Sequence, residues 1–170
     1  GDTTVTKSGE GLESRIVTIA GGTLDITSSD DAVNVSDGSG SSGVPGGGAP
    51  GADSAASGAS GLILTINGGT TTLSSEGDGL DSNGDLAMTG GTVVVSGPAT
   101  NGNGAADVDG SYLVSGGTLL TAGSSGMAIA PDAESEQGWV SATFDSAYAA
   151  GTVVQIASGD EVVATWTADK

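Results

Sequence analysis

The chain has 170 residues, enough for one domain with a sizeable core, yet it holds 32 Gly and only five aromatic residues, Tyr112, Trp139, Phe144, Tyr148 and Trp166. That excludes an ordinary aromatic-rich core, and the abundance of Thr, Ser, Val and Gly over helix formers predicts strands joined by tight turns with almost no helix. A net charge of −18, with Lys7, Arg15 and Lys170 as the only basic residues, excludes nucleic acid as a partner, and the lack of Cys and His removes thiol catalysis, disulfides, the usual zinc sites and the commonest general base.

In chain order, the first legible element is "SGEGLES" (Ser8–Ser14), a half-repeat that carries Glu10 and Glu13. An alternating run through Val17 and Ile19 then reaches a Gly-Gly-Thr tripeptide at Gly21–Thr23, and Leu24 and Ile26 continue the alternation beyond it. "SSDDAVNV" (Ser28–Val35) follows, with Asp30, Asp31 and Asn34. Residues 39–61 are a low-complexity Gly/Ser/Ala/Pro segment, expected to loop out. The second tripeptide, Gly68–Thr70, is preceded by Leu64 and Ile66, followed by Thr71 and Leu73, and leads to Glu76, Asp78 and Asp81. The third, Gly90–Thr92, lies between Leu86, Met88 and Val93, Val95, and is followed by the longer turn "TNGNGAADVDG" with Asn103 and Asp107. The fourth, Gly116–Thr118, lies between Tyr112, Val114 and Leu119, Thr121. Residues 136–170 lose the repeat and read as C-terminal strands, with "SGDE" a hairpin turn between Val153–Ala157 and Val162–Trp166. They are expected to fold back over the apolar outward positions Val94, Leu113 and Leu120 and to cap the late repeats. Tyr112 falls in an inward column, and core or lid packing is the expectation for Trp139 and Trp166.

The tripeptides are spaced by 47, 22 and 26 residues, and removing the 23 residues of 39–61 reduces the first spacing to 24. A repeat in the low twenties with fixed apolar columns is the signature of a parallel β-solenoid, each turn stacked on the last. No signal peptide and no apolar run of about 18 residues is present, so membrane insertion is not expected. The chain enters in mid-repeat, which suggests one domain over 1–170 taken from a longer protein.

The same alignment stacks the polar corners. Asp31 and Asp78 lie ten residues beyond their Gly pairs, and Asn34 and Asp81 lie thirteen beyond. Glu10 joins the first column, and the second reads Glu13, Asn34, Asp81, Asp107. Adjacent parallel strands are about 4.8 Å apart, where two carboxylates repel by a few kcal/mol at an effective dielectric of about 20. Such acids must be solvated, protonated or bridged. A hard cation bridges them well, because Ca²⁺ takes six to eight oxygens in loose geometry; a solvated acidic ridge is the alternative.

The run "GDGLDSNGDLAMTGGTVVVSGP", with "NGNGAADVDGSYLVSGGTLLTAGSSGMAIAP" after it, resembles a family of bacterial secreted carbohydrate-binding domains. The resemblance is densest over 62–131 and extends to 7–38, where "SSDDAVNV" matches the family's acidic corner. It implies an all-β chain folded as a right-handed parallel β-helix, similar to pectate lyases, with calcium at the corners. It also implies binding of cellulose or of acidic plant sugars such as polygalacturonate. Carried over by position, Asp30, Asp31, Asp78 and Asp81 would be calcium ligands, joined by Glu10, Glu13, Asn34 and Asp107; Glu10 and Glu13 replace the family's usual Asp. Glu76 and Asn103 flank these positions and complete the candidate set.

The expected function is therefore a non-catalytic, calcium-dependent carbohydrate-binding or adhesion module at a bacterial cell surface, with polysaccharide and other domains of the same surface protein as partners. A structural stalk or spacer is the alternative. A polysaccharide lyase fits less well, since only Lys7 and Arg15 are available as a base away from the C-terminus.

Overall fold

A computed structural model describes residues 1–38 and 61–170; the predicted loop at 39–61 therefore lies, but for Gly61, outside the described residues. No helix occurs among the described residues. Two compact units are present, Gly1–Val140 and Ser141–Lys170.

In the first unit, thirteen strands follow one another: β1 (Asp2–Ser8), β2 (Leu12–Glu13), β3 (Ile16–Ile19), β4 (Thr23–Ser28), β5 (Val33–Val35), β6 (Ile63–Ile66), β7 (Thr70–Ser75), β8 (Leu80–Ser82), β9 (Asp85–Met88), β10 (Thr92–Ser96), β11 (Ala106–Val108), β12 (Tyr112–Val114) and β13 (Thr118–Ala122). They are dealt in rotation to three parallel sheets, ordered β1-β4-β7-β10-β13, β2-β5-β8-β11 and β3-β6-β9-β12. Each strand thus pairs with the strand three places earlier in the chain, as a repeating three-strand unit requires.

The register confirms the apolar columns read from the sequence. Val17, Leu64, Leu86 and Tyr112 are successive partners, as are Ile19, Ile66, Met88 and Val114, and all eight are buried. Beyond the corner, Ile26, Leu73 and Val95 stack with no exposed surface. Inward residues from all three sheets form one apolar cluster, so the small side chains bury one another across sheets rather than within one. Burial on this pattern supplies the stability that aromatic bulk supplies elsewhere, at about 1.5–3 kcal/mol for each fully buried Val, Leu or Ile.

The Gly pairs are required by the corner. The second Gly of every tripeptide has a left-handed φ, as at Gly91 (94°) and Gly117 (91°). A Cβ on Gly91 would lie 2.8 Å from the Gly68 carbonyl carbon, so the stack itself, as well as the dihedral, excludes a side chain. Thr23, Thr70, Thr92 and Thr118 follow these corners in register and are exposed.

Beyond β13 the repeat stops, and the edge of β12 is closed from within the same unit. The Asp132 and Gln137 N–H groups donate to the Tyr112 and Val114 carbonyls (2.8 and 3.1 Å). In return the Tyr112 N–H donates to Asp132 Oδ2 (2.8 Å) and the Val114 N–H to Ser135 Oγ (3.1 Å). An edge cap therefore exists, made by an irregular segment that carries no repeat signal.

The second unit is an antiparallel hairpin of β14 (Val153–Ser158) and β15 (Glu161–Thr167), turning at Gly159 with φ 62°. Gly at the first central position of a two-residue loop matches the twist of the flanking strands, as the "SGDE" reading expected. Val154 faces Trp166 and Ile156 faces Ala164, which places these four side chains on one face. Phe144 and Tyr148 meet edge to face at 5.1 Å.

The acidic corner as candidate functional site

The corner follows the first sheet of each repeat, where the chain leaves β4 or β7 and enters β5 or β8. Val33 and Leu80 point into the core with no exposed surface, and this anchors the polar residues beside them. The register sets Glu13 against Asn34, Asn34 against Asp81 and Asp81 against Asp107, the second column as read from the sequence. For the first column, Gly11 N–H donates to the Asp31 carbonyl (2.9 Å), Ala32 N–H to that of Asp78 (2.9 Å) and Gly79 N–H to that of Gly104 (3.1 Å). Glu10, Asp31, Asp78 and Gly104 therefore lie one above another.

Burial separates these residues. Asp31, Asn34, Asp78, Asp81 and Asn103 are buried; Glu10 and Asp107 are half-buried, and Glu13, Asp30 and Glu76 are exposed. Carboxylate oxygens of Glu10, Asp30 and Asp31 lie within 4.8 Å of one another. Glu76 is not brought into this group; its N–H donates to the Ser28 carbonyl (3.3 Å) and its side chain faces solvent.

Each buried acid of the first column also accepts a backbone donor from the next repeat. The Asp78 N–H donates to Asp31 Oδ1 (2.6 Å) and the Gly104 N–H to Asp78 Oδ1 (2.5 Å). Asp85 Oδ1 accepts the Ser111 N–H (2.8 Å) in the same way. The sequence signalled the acids but not these donors, because an N–H has no letter of its own. In the second column, Asn34 Nδ2 donates to Asp31 Oδ2 (3.4 Å) and Asn83 Nδ2 to Asp81 Oδ1 (3.5 Å).

The Asp31 carboxyl is held well above the usual carboxylate range. Burial pushes its pKa up to about 8, and the charges of Glu10, Asp78 and Asp30 add to the rise, while the bond from the Asp78 N–H opposes it. Asp109 is raised too, by burial and then by Asp107.

The donor set consists of hard oxygens alone, with no nitrogen or sulfur ligand type nearby, as suits Ca²⁺ more than zinc or copper. Asn34 Oδ1 and Asn103 Oδ1 are buried and accept no hydrogen bond among the described residues. Buried amide oxygens of this kind are costly unless something occupies them. The residues present therefore fit a hard cation. Comparison of the chain with protein-family models, with curated proteins and with solved structures returns no match.

Among the aromatics, Tyr112 is buried as expected, and burial raises its phenol pKa. Trp139 is 50% exposed, so of the expected core or lid packing the core is excluded; it lies past Gln137, whose N–H donates to the Val114 carbonyl of β12. Trp166 is half-buried in the hairpin. Arg15 forms an ion pair with Asp37 (3.6 Å), both at least partly in solvent. No helix among the described residues is long and apolar enough to cross a membrane.

Proposed function

We propose that the chain is a right-handed parallel β-helix from a secreted bacterial surface protein. Its role is that of a non-catalytic, calcium-dependent carbohydrate-binding or adhesion module for cellulose or acidic plant polysaccharide. The supporting observation is the corner: buried Asp31, Asn34, Asp78 and Asp81, aligned across parallel repeats, with the amide oxygens of Asn34 and Asn103 accepting no hydrogen bond among the described residues. Asp31, Asn34, Asp78 and Asp81, with Glu10, Asp30, Asn103 and Asp107 at the margins, would hold the ion. A bound divalent cation supplies positive charge that offsets the carboxylates and can accept a sugar carboxylate. The chain's own part is to fix the oxygens in place, Asn34 and Asp81 within short strands and Asp31 and Asp78 just before them, beside the buried Val33 and Leu80. The reading of the chain as a lyase is disfavoured because Arg15 is paired with Asp37, which leaves Lys7 as the base nearest the repeats.

A second reading, a structural stalk, draws support from the N–H donors. The Asp31 and Asp78 carboxylates already tie one repeat to the next, a job that needs no ligand. Pull-down on insoluble cellulose, polygalacturonate and an unrelated polymer, with calcium and with chelator, separates the two. Retention on one of the plant polymers that chelator abolishes supports the binding module. Equal lack of retention on all polymers in calcium overturns it in favour of the stalk.

A further inference from the structure

Four of the five Asn residues precede Gly: Asn67, Asn83, Asn101 and Asn103. In an Asn-Gly peptide the Gly nitrogen can attack the Asn side-chain carbonyl, since no side chain on the Gly obstructs the approach. The reaction needs a free Gly N–H and a backbone able to turn, and the fold provides these unequally.

At Asn103-Gly104 the attacking nitrogen is tied up, its N–H donating to Asp78 Oδ1 at 2.5 Å, and Asn103 is buried. At Asn83-Gly84 the N–H donates to Ser82 Oγ (3.4 Å), and Asn83 is also buried. Asn67-Gly68 belongs to a stacked corner. The Asn67 N–H is held by the Ile19 carbonyl (2.8 Å), and the Asn67 carbonyl oxygen lies 2.8 Å from where a Gly90 Cβ would be, so repeats on both sides fix the peptide.

Asn101-Gly102 differs in each respect. Both residues are exposed, nothing lies within 4 Å of the Cβ position of Gly102, and the Gly102 N–H donates to no protein atom among the described residues. The Asn101 side chain rests against Gly126, where a Cβ would come within 2.8 Å of Asn101 Cγ. There the Ser124 hydroxyl donates to Asn101 Oδ1, and the Gly126 N–H donates to Ser124 Oγ (3.2 Å), which directs the hydroxyl proton toward the amide.

We propose that Asn101-Gly102 is a site of spontaneous backbone modification, with Ser124 polarising the reacting carbonyl. The deprotonated Gly102 nitrogen bonds to Asn101 Cγ, and negative charge collects on Oδ1, where the Ser124 hydroxyl meets it. The Cγ–Nδ2 bond then breaks and ammonia leaves with the proton, giving a five-membered succinimide. Water adds to either ring carbonyl and opens it to aspartate or isoaspartate. The product places a new carboxylate two residues from Asn103, at the margin of the acidic corner.

The test is incubation of the intact folded chain at mildly alkaline pH, with peptide mapping by mass spectrometry and isoaspartate detection over time. Asn101 should convert faster than Asn67, Asn83 or Asn103 by at least about tenfold, the ratio set by a barrier difference of about 1.4 kcal/mol. Ser124→Ala should slow conversion at Asn101 without altering the other three, and Gly102→Val should abolish it with an unchanged melting temperature. Equal rates at all four sites would overturn the selectivity. Faster conversion in Ser124→Ala would overturn the role of the hydroxyl, since the bond would then be holding the amide away from attack.

Discussion

Thr71 is one of two Thr residues in the otherwise apolar inward columns, and unlike Thr121, which is half-buried at the last repeat, it is fully enclosed. It stands between Leu24 and Val93 in register, is 1% exposed, and its hydroxyl has no hydrogen-bond partner among the described residues. A buried hydroxyl left without a partner costs about 1–3 kcal/mol, whereas a methyl of the same shape costs nothing there. Thr71→Val should therefore stabilise the protein by about 1 kcal/mol, read as a higher denaturant midpoint at unchanged slope. Leu80→Ala, in a side chain with no exposed surface, should move the midpoint the other way by about 2–5 kcal/mol. A destabilised Thr71→Val would mean that the hydroxyl is bonded after all, for instance through water.

Between strands, the corners combine two kinds of information that the sequence carries unequally. The apolar columns and the second polar column were legible in it, because a period-two pattern and a fixed distance from Gly-Gly-Thr settle which residues stack. Glu13, Asn34, Asp81 and Asp107 are partners in that order. The N–H donors to Asp31 and Asp78 were not legible, nor was the Asp132–Gln137 closure of β12, since neither depends on side-chain periodicity. These donors leave Asp31 still strained toward the neutral form, with its pKa near 8 in the folded chain. An unfolded Asp titrates near 3.9, so between these values the native state holds the extra proton and stability falls as pH rises, by linkage. Chelated protein should accordingly melt at higher temperature at pH 5.5 than at pH 8.5. Asp31→Asn, which keeps an oxygen for the Asp78 N–H, should flatten that dependence. A chelated wild type that gains stability from pH 5.5 to 8.5 would show that Asp31 stays ionised throughout.

For the whole molecule, the excess of acid is spread over all repeats, while Lys7 and Arg15 both lie in the first. A net charge of −18 destabilises any compact state through self-repulsion. Two remedies act by different physics and can be told apart. Monovalent salt shortens the screening length from about 10 Å at 0.1 M to about 3 Å at 1 M, and so relieves repulsion everywhere without regard to position. A cation held by the corner acts only where oxygens converge, and at about 100 times its dissociation constant it adds about 2.7 kcal/mol to the native state. Sodium chloride should thus raise the melting temperature of the wild type and of an Asp78→Asn, Asp81→Asn double variant alike. Calcium at low concentration, with ionic strength held constant, should raise that of the wild type alone. The double variant retains amide oxygens that can accept the Gly104 N–H and the Asn83 side-chain donor, so a difference between the proteins reports lost charge rather than lost hydrogen bonds. If calcium at matched ionic strength has the same effect on both proteins, the corner acids are countered by screening and by backbone donors, and the ion has no site there.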